Sequence, residues 1–302
     1  MQKNEHLLYL EALNRRDMLN TPELNTEFNN LTKGHEGEEL FSNYFQTYAH
    51  QNWVLFEDYW FNIEGPGQAD KLILSDNLWY LIDTKHYTGH LVYQNRTVTI
   101  NNKRYRNIFN DMETRTSKIQ QIAAQISTNI TIKPVIVFTG NDFTYTLHDP
   151  VHMDIVIRTA IRQFIQTLPY THPLTNHTQT LKTLNKYRTP YNKHYDRLTP
   201  EAFPQLKKGI YCPNCHKYNT RKHKSAIYCP NCQIEEHLPA LINRHATELL
   251  YLFPNHPQIL TATNLYELMG KQFSRNTILN HLKNNFESIK KSQYTYYQPT
   301  PK

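Results

Sequence analysis

The sequence predicts an α/β chain: a mixed central sheet flanked by helices, then a four-cysteine ribbon, then a small helical domain. Three observations carry this. Apolar runs of strand length between residues 53 and 157 alternate with segments of helical period. Two Cys-Pro-Asn-Cys quartets stand thirteen residues apart. Apolar positions from 239 to 291 recur at helical spacing.

Taken in order, residues 5–19 read as an amphipathic helix, with Leu7, Leu8, Leu10 and Leu13 near one face. Arg15 and Arg16 close it, favourably for the helix dipole, and Thr21-Pro22 ends it. A second helix runs from Gly34 to about Tyr48, with Leu40, Phe41, Tyr44, Phe45 and Tyr48 as its apolar face. At about 100° per residue, Glu38 falls at the rim of that face. Glu36 and Glu39 fall further round, toward solvent. Trp53 to Phe61 reads as the first strand, with Glu57 and Asp58 facing outward, and Gly65-Pro66-Gly67 as a turn.

Residues 68–85 read as a β-hairpin. Lys71–Leu74 meets Leu78–Ile82 across Ser75-Asp76-Asn77, which is turn-forming chemistry. Strand side chains alternate, so Asp83 and Lys85 share one face and Thr84 takes the other. Asp70 begins the first strand and lies beside Asp83 once the hairpin closes. Asp is depleted in strands, and a buried charge is costly unless paired or metal-bound. Hard oxygen donors of this kind suit Mg²⁺ or Mn²⁺. A lysine beside them can hold or activate a water, or neutralise a phosphate. The plain alternative is a surface hairpin with an Asp–Lys ion pair.

Leu91–Tyr93 and Val98–Ile100 form a second hairpin turned by Gln94-Asn95-Arg96, followed by a basic stretch at Lys103, Arg104 and Arg106. Residues 114–129 read as a helix bearing Gln120, Gln121 and Gln125. Pro134–Thr139 is a continuous apolar strand buried on both faces. Asp154–Ile157 is a last strand, and Arg158–Leu168 a closing helix.

Gly34-x-x-Gly37-Glu38, Gln68-x-Asp70, Asp83-x-Lys85 and Gly89, in that order, resemble the nuclease-related domain (NERD) family of the PD-(D/E)xK nuclease superfamily. The resemblance extends over roughly residues 1 to 165. It implies a restriction-endonuclease-like fold and a Mg²⁺- or Mn²⁺-dependent nuclease. Glu38, Asp70 and Asp83 would be the metal ligands, Lys85 the water-orienting lysine, and Gln120 the family's glutamine near the active site. Two positions depart from the family: it usually has Glu in place of Asp83, and often His in place of Lys71.

The chain has 302 residues and a formal net charge of +7, with a pI of about 9.0 and a mean hydropathy of −0.69. That balance favours a polyanionic partner. All four cysteines lie in the two quartets, which excludes a disulfide framework and points to a metal site in a reducing compartment, most simply the cytoplasm. No secretory pattern opens the sequence, and no run of about 18 apolar residues supplies a transmembrane helix. No membrane association is expected.

Cys212, Cys215, Cys229 and Cys232 have the spacing of a tetrahedral Zn²⁺ ribbon. Four thiolates close the shell, which implies scaffolding. From Ala202 to Ile234 no acidic residue occurs, while Lys207, Lys208, Lys217, Arg221, Lys222 and Lys224 are basic. This module resembles the topoisomerase-type ribbons appended to DNA-handling enzymes. Further on, Leu241–Phe253, Thr263–Met269 and Arg275–Phe286 read as helices. The last pair is a helix-turn-helix candidate, with Arg275, Asn276, Thr277 and Asn280 toward a major groove.

The expected domains are a nuclease-like domain at 1–167, a connector at 168–205, a zinc ribbon at 206–237 and a helical domain at 238–302. The expected function is a metal-dependent endonuclease acting on DNA, or on RNA. The alternative is a catalytically impaired nucleic-acid-binding adaptor or zinc-ribbon regulator. Strandedness of the substrate, cleavage specificity and oligomeric state are not fixed by the sequence.

Overall fold

A computed structural model describes residues 3–49, 54–74, 77–127, 129–168, 177–190, 195–291 and 294–300. The expected turn residues Ser75 and Asp76, and Trp53, lie outside the described residues. The chain divides into two compact units. One comprises residues 30–193, and the other residues 2–29 with 194–302.

Helix α1 (Glu5–Arg15) is capped by Asn4, whose side chain accepts from the Leu7 amide. Helix α2 (Pro22–Tyr48) has 27 residues. The first helix stops at Arg15, short of the expected residue 19, and Asp17 follows with positive φ. Pro22 opens the next helix, since a missing N–H costs nothing in a first turn. Strands β1 (Val54–Asn62), β2 (Pro66–Leu74) and β3 (Leu78–Lys85) follow, then β4 (Gly89–Gln94), β5 (Thr97–Ile100) and β6 (Lys103–Tyr105). Two-residue turns join β4 to β5 and β5 to β6. All four turn residues, Asn95, Arg96, Asn101 and Asn102, have positive φ, as tight hairpin turns require. After β6 come α3 (Ile108–Ala124), β7 (Thr131–Phe138), β8 (Phe143–Leu147), β9 (Asp154–Ile157), α4 (Ile161–Thr167) and α5 (His177–Tyr187).

The main sheet has the order β1-β2-β3-β7-β9. Its first three strands are antiparallel, and β3, β7 and β9 run parallel. A second sheet has the order β6-β5-β4-β8. Alternation along β3 splits the core. Trp79 and Leu81 pack toward α3 with Met112, Ile119 and Ile122. Tyr80 and Ile82 pack toward α2 and α4 with Phe41, Phe45, Ile161 and Ile165. The mixed sheet flanked by helices is the fold class the sequence predicts.

The second unit holds α1 with the C-terminal third. Strands β10 (Arg221–His223), β11 (Ala226–Cys229) and β12 (Ile234–His237) form a small antiparallel sheet. Helices α6 (Leu238–Leu252), α7 (Ala262–Leu268) and α8 (Arg275–Asn285) follow, and β13 (Phe286–Lys291) pairs with β14 (Tyr294–Pro299). The segment read as a helical tail thus ends in a β-hairpin. Arg16, read as a helix-closing charge, is fully buried. Its guanidinium lies 2.5 Å from the Glu248 carboxylate and donates to the carbonyls of Lys207 and Gly209. Residues 2–29, grouped in the sequence with the nuclease-like domain, cluster instead with residues 194–302. No helix among the described residues is long and apolar enough to cross a membrane.

Candidate active site and cysteine centre

The C-terminal ends of β3 and β7 carry the first cluster. Gly37 lets α2 descend onto this end. A Cβ there would sit 2.6 Å from Thr139 Oγ1 and 2.9 Å from His86 Cβ, closer than real contacts allow. Glu38, one residue on, is held half-buried while Glu36 and Glu39 stay exposed. Burial and the neighbouring charges of Asp70 and Asp58 push its pKa up to about 8.

Asp70 and Asp83 are both buried. Asp70 Oδ2 accepts the Thr84 backbone N–H at 2.6 Å, which ties the mouth of β2 to the end of β3. Burial, and Asp83 beside it, raise the Asp70 pKa to about 6. Asp83 behaves oppositely. Burial would raise it, but two cations overrule burial and hold it at about 2. Lys85 Nζ stands 2.5 Å from its Oδ2, and Arg115 Nη1 2.6 Å from its Oδ1. For Lys85, burial acts downward, yet Asp83 and Asp70 outweigh it and raise its pKa. Lys85 is therefore an ammonium, suited to orient a water or neutralise a phosphate rather than to accept a proton.

The structure brings Glu38, Asp70, Asp83 and Lys85 to one end of the sheet, but not Gln120. Its side-chain amide donates to the Ile130 carbonyl at 2.8 Å and accepts from the Ile132 N–H at 3.2 Å. Ile132 pairs with Trp79 and Ile136 with Asp83, four positions apart, so Gln120 serves a point about 13 Å away by strand rise. The residue that α3 does deliver is Arg115. It also donates to the Gln68 carbonyl at 3.2 Å. Arg115 lies within the helix expected from 114 but is not among the residues the sequence singles out. The signal was present: Ile108, Met112, Ile119 and Ile122 are buried on one stripe, and Arg115 falls on that stripe at helical spacing. Lys71, where the family often has His, is buried and paired with Glu57.

The carboxylates do not close on a single point. Glu38 comes from α2, with Asp70, Asp58 and Lys85 among the charges that act on it, whereas Asp83 is held between Lys85 and Arg115. Asp83, expected as a third metal ligand, has both oxygens beside cations. Glu38 and Asp70 fit a divalent cation better: they are carboxyls whose raised pKa values reflect burial among like charges, which a hard cation would relieve.

The cysteines are arranged otherwise. Among the described residues they are the group whose metal-ligating atoms draw together, all four sulfurs lying within 4.8 Å of one another. Cys215 and Cys229 Sγ are 3.7 Å apart, the separation expected of thiolates about 2.3 Å from one tetrahedral Zn²⁺. Each quartet makes the same turn. His216 N–H returns to Cys212 O at 3.0 Å, and Gln233 N–H to Cys229 O at 2.8 Å. His216 and Gln233 both have positive φ.

The basic surface expected around the ribbon is smaller than the sequence count suggests. Lys207 pairs with Asp17. Lys208 lies over the Phe203 ring and donates to its carbonyl, and burial lowers its pKa to about 8. Lys217, Arg221, Lys222 and Lys224 are exposed.

Buried aspartates, a charged lysine and a helical glutamate thus meet near one sheet end. Residues 33–139 match the family described as nuclease-related domain. The chain therefore contains such a domain, and a nuclease-related function follows at that level. Comparison with curated proteins found no match, and comparison with solved structures found none.

Proposed function

We propose that the protein is a metal-dependent nuclease that hydrolyses phosphodiester bonds in DNA, with its ribbon and C-terminal modules contacting the nucleic acid. One observation carries the reading: Asp70, Asp83, Lys85 and Glu38 gather at one sheet end inside the nuclease-related domain. Glu38 and Asp70 would hold Mg²⁺ or Mn²⁺, which would supply charge stabilisation at the scissile phosphate and a more acidic water. Lys85, kept protonated, holds the attacking water or a phosphate oxygen by its ammonium. Asp83 fixes Lys85 and Arg115 in place rather than binding metal. Zn²⁺ on the four cysteines would be a closed structural ion. Four free thiols suit a reducing compartment such as the cytoplasm.

Incubating the zinc-loaded protein with plasmid and Mg²⁺ tests this. Cleavage that needs the divalent ion and disappears in Lys85→Ala, with binding retained, supports it. Binding with no metal-dependent cleavage favours the other reading, a nucleic-acid-binding adaptor. What speaks for the adaptor is Asp83, already neutralised by two cations.

A further inference from the structure

Helix α8 has a composition that its packing does not require. Ile278 and Leu282 form its buried stripe. At about 100° per residue, the line opposite that stripe is occupied by Asn276, Asn280 and Asn284. All three are exposed. Asparagine is a poor helix former, because its amide competes for backbone groups. Among the described residues none of the three side chains makes a hydrogen bond. Three unsupported asparagines on one line weaken a helix and return nothing in packing.

Their chemistry suggests what they are for. An asparagine amide presents a donor and an acceptor in one plane, which matches adenine N6 and N7 in the major groove. Residues four apart rise about 6 Å, a little under two base-pair steps of about 3.4 Å. Thr277, also exposed, flanks the line and offers a methyl group and a hydroxyl.

A second element is fixed to this helix. Phe286 is both the C-cap of α8 and the first residue of β13, so no loop separates helix from hairpin. The hairpin is anchored at its other strand, where Tyr296 and Tyr297 are buried and the Tyr297 N–H donates to the Leu260 carbonyl at 2.9 Å. Its far end carries Lys290 and Lys291, both exposed. From Arg275 to Lys291 there are four cations (Arg275, Lys283, Lys290, Lys291) and one carboxylate (Glu287). Arg275 is steadied by Thr263 Oγ1 at 3.2 Å.

We propose that α8 and the β13–β14 hairpin form a sequence-reading surface for duplex DNA. The asparagine line reads adenines in the major groove, and Lys290 and Lys291 rest on the flanking phosphates. Duplex RNA is excluded by shape, since its major groove is too deep and narrow for side chains to read. Along the asparagine line the helix offers no aromatic ring on which single-stranded bases could stack; the exposed Tyr294 beside Lys291 lies on the hairpin, away from that line. This deepens the proposed nucleic-acid contact by naming the partner and how it is read. It does not depend on cleavage, and its test runs without added Mg²⁺.

The test selects binding sites from random duplex DNA with the full zinc-loaded chain, then measures affinity by fluorescence anisotropy. The expected result is an adenine-bearing consensus. Asn280→Ala should cut the preference for that consensus over scrambled duplex by about tenfold, leaving scrambled binding unchanged. Because Ala favours helix more than Asn, loss of folding is not a confounding outcome, and circular dichroism checks it. Replacing Lys290 and Lys291 by Ala should weaken both duplexes equally and lower the slope of log K against log salt by about 2. The absence of any consensus, equal binding to duplex RNA, or an Asn280→Ala loss shared equally by cognate and scrambled DNA would each overturn the proposal.

Discussion

The cysteine centre and the carboxylate site are built on opposite plans. The four sulfurs come from two short loops of one sequence, each closing its own turn with a left-handed residue after the second cysteine. They converge without help. The carboxylates come from three separate elements, α2, β2 and β3, and among the described residues their oxygens do not draw together as the sulfurs do. Lys85 and Arg115 occupy the place a third ligand interaction would need. A locally encoded site is finished by its loops, whereas one assembled from distant elements rests in a compromise among its own charges until a ligand arrives.

The largest break of this contrast is Cys229→Ser. It should abolish stoichiometric zinc, read by elemental analysis, and remove the second unit's calorimetric transition, since structural zinc contributes on the order of 10 kcal/mol. Within the same unit, Glu248→Ala leaves Arg16 buried and uncompensated. Urea unfolding should show a loss of about 3–5 kcal/mol. At the carboxylate site, Lys85→Ala removes one charge-stabilising donor and should lower kcat by about 10²- to 10³-fold with little change in zinc content.

Arg115→Ala probes the compromise itself. Freed of one cation, Asp83 becomes available to a metal, so Mn²⁺ affinity by calorimetry should rise by about tenfold, the scale of one pKa unit. An unchanged affinity would mean that Asp83 stays an ion-pair hub. The smallest effect is in pH. Glu38 is raised from 4.5 to about 8 and Asp70 from 3.8 to about 6. A raised carboxyl stabilises the fold fully below its unfolded value and less as pH climbs through the folded one. The metal-free first unit should therefore lose stability between about pH 4 and 8, while divalent-ion affinity grows over the same window as both groups ionise. Asp83, depressed to about 2, works in reverse: its contribution is present above its ordinary value and fades below.

Much of the core was legible because strand patterning is local. The β2–β3 hairpin, the buried strand at β7 and the short β9 follow from apolar runs alone. Helix α3 was misjudged at its start, since Asn107 caps it six residues earlier than expected and accepts from the Phe109 and Asn110 amides. Gln120 was singled out by the family resemblance rather than by the helix, and its amide is spent on Ile130 and Ile132. The terminal hairpin was missed because Phe286 to Lys291 continues a helical pattern without a break, and the pairing partner that makes it a strand lies beyond it. Periodicity also showed that α1 has an apolar face, but could not say which part of the chain would cover it.

That cover comes late. Arg16 finds Glu248 only across 232 residues. At a synthesis rate of about 5–20 residues per second, the first helix waits on the order of ten seconds or more for its counter-ion to be made. The nuclease-related domain is complete well before then. A nascent chain would thus carry a finished nuclease-related domain beside leucines still exposed, and chains stopped before residue 248 would reveal themselves through that uncovered helix.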